Sequence, residues 1–243
     1  MDSTILKGEL RVNTSDIKSL KSRWNQRDPK FDGTCRDHMV HTLRTDCYPG
    51  NRQRPLKLDL RGISLNNEDL SGLDLSGYDL SFANMNRVNF TKANLSYAIL
   101  QGASMEKSLL DECEFIGADL SHAGLNECSA KMAGFGGANL SQASMINVDL
   151  SDSVLSRSTL VKTDLRASNL TRARLSEADL SGAVFTRANL ENSDLKHSNV
   201  EKTNFELANM QGCRLLGIHN FKKADWIGAD IRGSLPGSAV YCR

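Results

Sequence analysis

The sequence is marked first by what it lacks. None of its apolar runs approaches the roughly 18–20 residues that a membrane-spanning helix needs, so no span is expected. The start, "MDSTILKGELRVNTS", has no apolar core of the kind that drives secretion, and no secretory signal is expected. Six cysteines, at 35, 47, 113, 128, 213 and 242, form no paired framework. That pattern fits a reducing compartment, with a cytoplasmic location expected, better than a disulfide scaffold. No single charge dominates either: 30 Lys and Arg stand against 29 Asp and Glu, for a net charge of +1. Residues 1–57 carry 12 basic and 7 acidic residues, and residues 58–233 carry 17 and 22. Neither balance is steep enough to mark direct nucleic-acid binding.

What is present is a repeat. From Leu60 to Leu215, 32 consecutive pentads carry a large apolar residue at the same position, with Ala130 the only small one. After Leu215 the phase slips by one, and Phe221, Trp226 and Ile231 continue it. In "ADLSGAVFTRANLENSDL" the centres are Leu180, Phe185, Leu190 and Leu195. A small residue precedes each by two: Ala178, Ala183, Ala188 and Ser193.

No ordinary element explains a period of five. On an α-helix five residues advance about 500°, which spreads the leucines around every side. On one straight strand an odd spacing alternates faces. The pattern closes if the chain turns a corner every pentad, so that each centre points to a common axis. The residue two earlier then points inward as well, and its size is limited by a narrow interior. The other three positions face outward, with Asp or Asn before the centre and Ser or Thr after it, suited to polar walls and turns.

"FANMNRVNFTKANLSYAIL" and "EADLSGAVFTRANLENSDL" follow an A-(D/N)-L-x-x consensus almost position by position, and the run resembles the pentapeptide-repeat family from about Leu58 to Gly233. The resemblance implies an all-β solenoid: a right-handed quadrilateral parallel β-helix of about eight to nine coils, four pentads to a coil. At a strand spacing of about 4.8 Å this is a rod roughly 40 Å long. Each buried Leu, Phe or Met contributes about 1.5–3 kcal/mol, and stability accumulates from coil to coil. Residues twenty apart stack, so Ala130 sits between Leu110 and Leu150. Met132 is expected to swing inward over Ala130 and form a local bulge.

The organisation expected is a non-repeat segment over 1–57, the β-helix over 58–233 and a tail over 234–243. An open β-helix end is an unpaired edge, so caps are expected. "TSDIKSLKSRWNQ" offers Thr14 or Ser15 as N-cap, with Ile17, Leu20 and Trp24 at helical spacing. "CRDHMVHTLRTD" offers Met39, Val40 and Leu43 as a second apolar face, and "CYPGNRQRP" reads as turn and linker. Two short helices covering the first coil is the preferred reading; the other is that this basic segment recognises a partner or directs export. Trp226 and the tail "SLPGSAVYCR" are read as a C-terminal cap or dimer contact. Some members of the family dimerise there, so the resemblance leaves room for a homodimer through the C-terminal end.

Chemistry is sparse. His122 and His197 stand at outward third positions on different coils, without a nucleophile motif. Cys35, His38, His41 and Cys47 have a spacing able to hold zinc on a helix, yet it is no standard finger, and they are read as ordinary cap residues. "GFGG" at 134–137 lacks the strand–loop–helix context of a phosphate loop. The column Asp59, Asp79, Asp119 and Asp179 is interrupted by Ile99 and reads as solvated consensus. The sequons within the repeat are products of the consensus. No catalytic residue, metal site or cofactor is expected.

The remaining feature is surface. Ile116, Gly117, Lys131, Gly134, Gly136 and Gly137 depart most from the consensus. Glycines on two successive coils would let a partner backbone approach closely; the other reading is a relaxed consensus. Isolated outward apolar residues, among them Phe82 and Ile99, are read as ordinary surface, and the walls as flat, without a concave pocket. The function expected is a non-enzymatic interaction module with a protein partner. The resemblance brings two roles. Some bacterial members are effectors delivered by secretion systems into a host cell, and they pair a non-repeat N-terminal region with the repeat. Others protect DNA gyrase and topoisomerase IV by mimicking duplex DNA, giving quinolone or toxin resistance. Mimicry needs a strongly negative rod, and this one is only mildly acidic.

Overall fold

A computed structural model describes residues 14–28, 32–51 and 58–234. The segment 1–13, residues 52–55 of the linker read in "CYPGNRQRP", and the tail from 235 onward, with its expected dimer contact, lie outside the described residues.

The corner predicted by the period is a hydrogen-bonded turn. In the first one, the Ile63 N–H donates to the Leu60 carbonyl at 3.1 Å. The residue two after each centre has positive φ, near +60°, as in Arg87, Lys92 and Glu112. Negative φ at the residue before it makes the corner type II-like. Non-glycine residues rarely accept this conformation. Here it recurs at the same place in pentad after pentad, because the neighbouring coils fix it.

The coils are held by parallel bridges between residues twenty apart, from Asp59–Asp79 through Asn199–His219. Each centre donates its N–H to the coil above (Leu60 to Asp79, 2.7 Å), and so does the corner residue (Gly62 to Ser81, 2.9 Å). The residue before the centre donates downward (Asp79 to Leu58, 3.1 Å). Four of the five N–H groups in a pentad are thereby paired. The fifth, on the residue after the centre, is accepted by the side chain two residues back. Ser71 N–H bonds Asp69 Oδ1 at 3.1 Å, and Ser96 N–H bonds Asn94 Oδ1 at 3.0 Å. This is an Asx turn, and it gives the consensus Asp or Asn a backbone role beyond solvation. The asparagines then use their amide to link coils, as in Asn139 Nδ2 to Asp119 Oδ1 at 3.0 Å. One wall solves the problem differently. There Asn86 N–H is accepted by Asn66 Oδ1 of the coil below, at 2.8 Å.

The core follows the sequence pattern. The centres from Leu60 to Leu215 are buried, and so are the residues two before them from Tyr78 to Cys213; in the first coil Glu68 and Leu73 at that position are half-buried. Some buried serine and threonine hydroxyls at the small position donate to a centre carbonyl one coil below, as Thr163 does to Leu140 at 2.7 Å, whereas Ser153 and Ser158 donate to Leu150 and Leu155 of their own coil at 2.6 Å. The residues flanking each centre are half-buried in most pentads, not fully outward as the pattern implied, because the next coil covers them. At Ala130 the expectation of a bulge fails. Met132 stays outside, 57% exposed, with φ +56° at the corner. The bridges Ser129–Asp149 and Gly134–Val154 keep the twenty-residue register across it. Swinging Met132 inward would have broken the Met132 N–H bond to Ser151 O, 3.0 Å long.

The phase slip after Leu215 is real. Asn220 adopts φ +61°, a 3₁₀ turn spans Phe221–Lys223, and the bridges lengthen to twenty-one residues at Asn204–Asp225. Trp226 then stacks on Phe205 at 4.6 Å and on Phe221 at 4.5 Å.

Two helices precede the repeat: α1, Thr14–Ser22, and α2, Cys35–Asp46. A 3₁₀ turn at Arg23–Asn25 follows α1. α2 begins with a capping box, in which the Thr34 hydroxyl accepts from Asp37 N–H and Asp37 accepts from Thr34 N–H.

Candidate functional site

The residues expected to contact the first coil divide between the helices. Trp24, Val40 and Leu43 are buried in the common core, and Met39 packs against it. Ile17 and Leu20 are half-buried. Polar contacts join the same parts. Trp24 Nε1 donates to Arg61 O at 2.9 Å. Arg23 bonds both carboxylate oxygens of Asp59, at 2.9 and 3.0 Å, and its guanidinium lies over the Trp24 ring. Arg61 and Arg23 together hold the Asp59 carboxyl well below the usual carboxylate range. From α2, Arg36 donates to Ser64 O at 2.9 Å and pairs with Glu68, which Arg44 also reaches at 2.5 Å.

The zinc-like spacing on α2 is taken up otherwise. His38 Nδ1 lies 2.6 Å from Asp28 Oδ2, and Cys47 is buried 3.2 Å from the Tyr78 hydroxyl. Among the described residues no three His, Cys, Asp or Glu side chains are grouped to hold a metal ion.

The six surface residues singled out by their departure from consensus lie on neighbouring coils. Ile116 is 44% exposed. Lys131 stands one corner away from Gly134, on the adjoining wall, and reaches Asp149 at 3.7 Å. The glycines are not alike. A Cβ at Gly117 would lie 2.8 Å from the Tyr97 ring, and one at Gly134 would collide with the Glu114 carboxylate. The chain's own side chains occupy those two gaps. Gly136 and Gly137 have nothing within 4 Å of where a Cβ would be, and that part of the surface is open.

At several corners of the rod opposite charges face each other on successive coils. At the corners Lys107 pairs with Glu127 (3.3 Å), Arg157 with Glu177 (2.9 Å) and Arg172 with Asp152 (2.6 Å), each across twenty residues. Arg172 and Arg157 lower the carboxyl pKa values of Asp152 and Glu177 through these hydrogen bonds. Exposed pairs of this kind add little stability. Their effect is on surface potential, because they break up any continuous negative stripe.

One concavity was missed by the sequence reading. Where α1 meets a wall of the first coils there is a cleft of about 430 Å³. Asp16, Ser19 and Leu20 form one face of α1 on its near side. Arg61, Asp79, Phe82 and Ile99 line the far side. Phe82 and Ile99 had been read as isolated surface residues. The twenty-residue period already places them on one wall in successive coils; the helix that closes the groove is what the repeat pattern does not contain.

The pentapeptide-repeats family matches the chain in 8 copies, over residues 58–91, 89–126, 135–172 and 173–212. No curated protein matches it. Among solved structures, it is similar to HetL, a pentapeptide repeat protein involved in heterocyst differentiation regulation in the cyanobacterium Nostoc sp. strain PCC 7120. Identity is 27%, over 75% of this chain and 90% of that one, with a TM-score of 0.40. It is also similar to QnrB1, a plasmid-mediated fluoroquinolone resistance protein, at 16% identity over 72% of this chain and 84% of that one, TM-score 0.36. A pentapeptide repeat protein of the Arabidopsis thaliana thylakoid lumen shares 24% identity over 52% of this chain and 70% of that one, TM-score 0.29. Proteins of this kind form right-handed quadrilateral β-helices, which the four corners and twenty-residue register described above match. The chain belongs to the pentapeptide-repeat family.

Proposed function

We propose that the protein is a non-enzymatic interaction module that presents a rigid β-helix surface to a protein partner. The observation that carries this reading is the unbroken register from Asp59 to His219. It fixes exposed side chains in columns spaced by about 4.8 Å along the rod, an array suited to recognition of a macromolecular surface. In this reading residues 1–57 form a small helical N-terminal cap, 58–233 form about eight to nine coils, and 234–243 are a tail able to join two copies at the C-terminal end. The exposed patch at Ile116, Gly136 and Gly137, with Lys131 beside it, is the partner surface of first choice.

Two finer readings stand within this one. A non-repeat segment ahead of the repeat is the organisation of delivered bacterial effectors, and it favours a partner in a host cell. Protection of gyrase or topoisomerase IV is the alternative. The interleaved corner pairs, such as Arg157–Glu177, weigh against a DNA-like potential. Affinity capture tests both, using the full chain and its Gly136→Arg variant in bacterial and eukaryotic lysates. A partner from the eukaryotic lysate that Gly136→Arg releases supports the module, its surface and the effector reading. Retention of gyrase subunits, with inhibition of supercoiling by the pure protein, supports the alternative. Capture from neither lysate counts against both finer readings.

A further inference from the structure

We infer that a polar groove on one corner of the first coils is an oxyanion site that takes a phosphate group. The groove measures about 310 Å³ and is lined by Asn66, Asn67, Asn86, Arg87, Glu106 and Lys107. It lies on a different corner from the patch at Ile116 and Gly136, and the inference does not depend on the partner reading. Its floor is a ladder of asparagines. Asn66 Oδ1 accepts the Asn86 N–H at 2.8 Å. Asn86 Oδ1 accepts the Glu106 N–H at 2.8 Å and the Ser104 hydroxyl at 2.7 Å. Only the oxygen end of an amide accepts a backbone N–H, so the ladder fixes which end of each side chain is which. The NH2 ends are left to donate, and no acceptor among the described residues takes them up.

The charges over this floor suit an anion. Lys92, Arg157 and Arg172, at other corners, each face an acid one coil away: Glu112, Glu177 and Asp152. Among the described residues Arg87 has no such acid. Twenty residues below it stands Asn67 and twenty above it Lys107, so two cations adjoin at about 4.8 Å along the rod. Lys107 reaches upward to Glu127 at 3.3 Å. Glu106, the one acid in the lining, also turns away. Its carboxylate leans over Gly124 in the coil above and accepts from Asn126 Nδ2 at 3.3 Å. Below the groove, Arg36 donates to Ser64 O and pairs with Glu68, the residues flanking the Asn66–Asn67 corner, and Arg44 shares that carboxylate. The lower half of the groove therefore presents two amide NH2 groups and a guanidinium, with the Lys107 ammonium one coil up. A phosphate group carries close to two charges at neutral pH and several strong acceptor oxygens. It suits two adjoining cations and a set of converging donors better than a singly charged carboxylate does. The group is either free phosphate or carried on a side chain of a protein partner, and the recognising chemistry is the same.

Titration of the isotope-labelled full chain with inorganic phosphate, read by NMR at neutral pH and constant ionic strength, tests it. The side-chain amides of Asn66 and Asn86 and the backbone amide of Arg87 should shift saturably, while chloride and acetate should leave them in place. Arg87 is exposed, so Arg87→Gln keeps the fold; it should weaken phosphate binding about tenfold, the effect of losing a hydrogen bond to a charged group. Lys92→Gln, at the next corner, should leave the affinity unchanged. A short phosphoserine peptide and its unphosphorylated counterpart separate the two sources. Binding about tenfold or more tighter than inorganic phosphate puts the group on a partner's side chain, and binding no tighter makes the ligand the free anion; either supports the site. Shifts that fail to saturate and appear equally at the paired corner cations would mean diffuse ion association and would overturn it. Unchanged affinity in Arg87→Gln, or equal binding of the unphosphorylated peptide, would overturn it as well.

Discussion

The thiol of Cys47 lies 3.2 Å from the hydroxyl oxygen of Tyr78, and both side chains are fully buried. Tyr78 occupies the inward position that nearly every other pentad gives to a small residue. It fits because the first coil has no complete coil beneath it, and the end of α2 fills that space instead. The Cys47 carbonyl also accepts the Asp74 N–H at 2.7 Å, so the join is both apolar and hydrogen-bonded.

Tyr78 therefore anchors α2 to the repeat. Tyr78→Ala should cost about 3–5 kcal/mol, the usual range for deleting a buried aromatic ring. Tyr78→Phe should cost only about 1 kcal/mol, the net value of one hydrogen bond. Urea unfolding measures both, and exchange of the α2 amides should accelerate in Tyr78→Ala before the coils above are affected. A Tyr78→Ala protein as stable as the wild type would show that the helices rest on the rod without supporting it.

The corners make an opposite pair of predictions for glycine. Ala167 is exposed at φ +57°. An L-residue there costs about 1–2 kcal/mol, partly offset by the extra freedom glycine has when unfolded, so Ala167→Gly should stabilise the protein by about 0.5–1 kcal/mol. Gly117→Ala should destabilise it by more than that, because the new methyl meets both the same backbone strain and the Tyr97 ring. Paired thermal melts decide the matter. If the two substitutions shift the midpoint in the same direction, the corner geometry is not what limits stability.

The legibility of this fold has a physical boundary. The core was open to reading because one residue in five had to be large and another small, and Leu60 through Leu215 obey that without insertion. The twenty-residue stacking followed from the resemblance. The Asx turns were half legible: Asp or Asn before each centre was seen as solvated, whereas Asp69 and Asn94 complete the backbone hydrogen bonding. Met132 was misjudged because a neighbouring small centre looked like a gap needing a side chain, while the ladder bonds on either side already fix the backbone. The cleft was legible on one side only. Its far wall is encoded in the repeat, but its near wall is α1, whose placement is set by the long-range contacts of Arg23 and Trp24 with Asp59 and Arg61.

Those same contacts make the N-terminal join sensitive to acid. Asp59 is depressed in the folded protein first by Arg61 and then by Arg23, below the unfolded carboxylate value of about 3.9. A depressed carboxyl contributes stability in full above its unfolded pKa, and the contribution is lost as pH falls toward the folded value. The 14–25 segment should therefore loosen below about pH 4, ahead of the coils. In a Trp226→Phe background, Trp24 emission reports the event, with a red shift on acidification. Asp59→Asn should show the red-shifted emission already at neutral pH. An identical pH profile in the Asn variant would assign the transition to another carboxyl.

The thiols provide a final test of packing. Burial pushes Cys128 to about 12 and Cys213 to about 11, and raises Cys113 as well. Cys128 and Cys213 also point at carbonyls one coil below, Met105 and Leu190, at 2.9 and 3.0 Å. Cys47 is sealed against Tyr78, whereas Cys35 is half-buried at the start of α2. Because the thiolate is the reactive form, the interior cysteines should resist a disulfide reagent at pH 8. In a Cys242→Ser protein, one thiol, Cys35, should react within minutes and four only at the rate of unfolding. Denaturant should bring all five into reach together. Fast labelling of Cys113, Cys128 or Cys213 without denaturant would mean that the coils open locally, and that the rod is not the rigid array on which recognition of a partner depends.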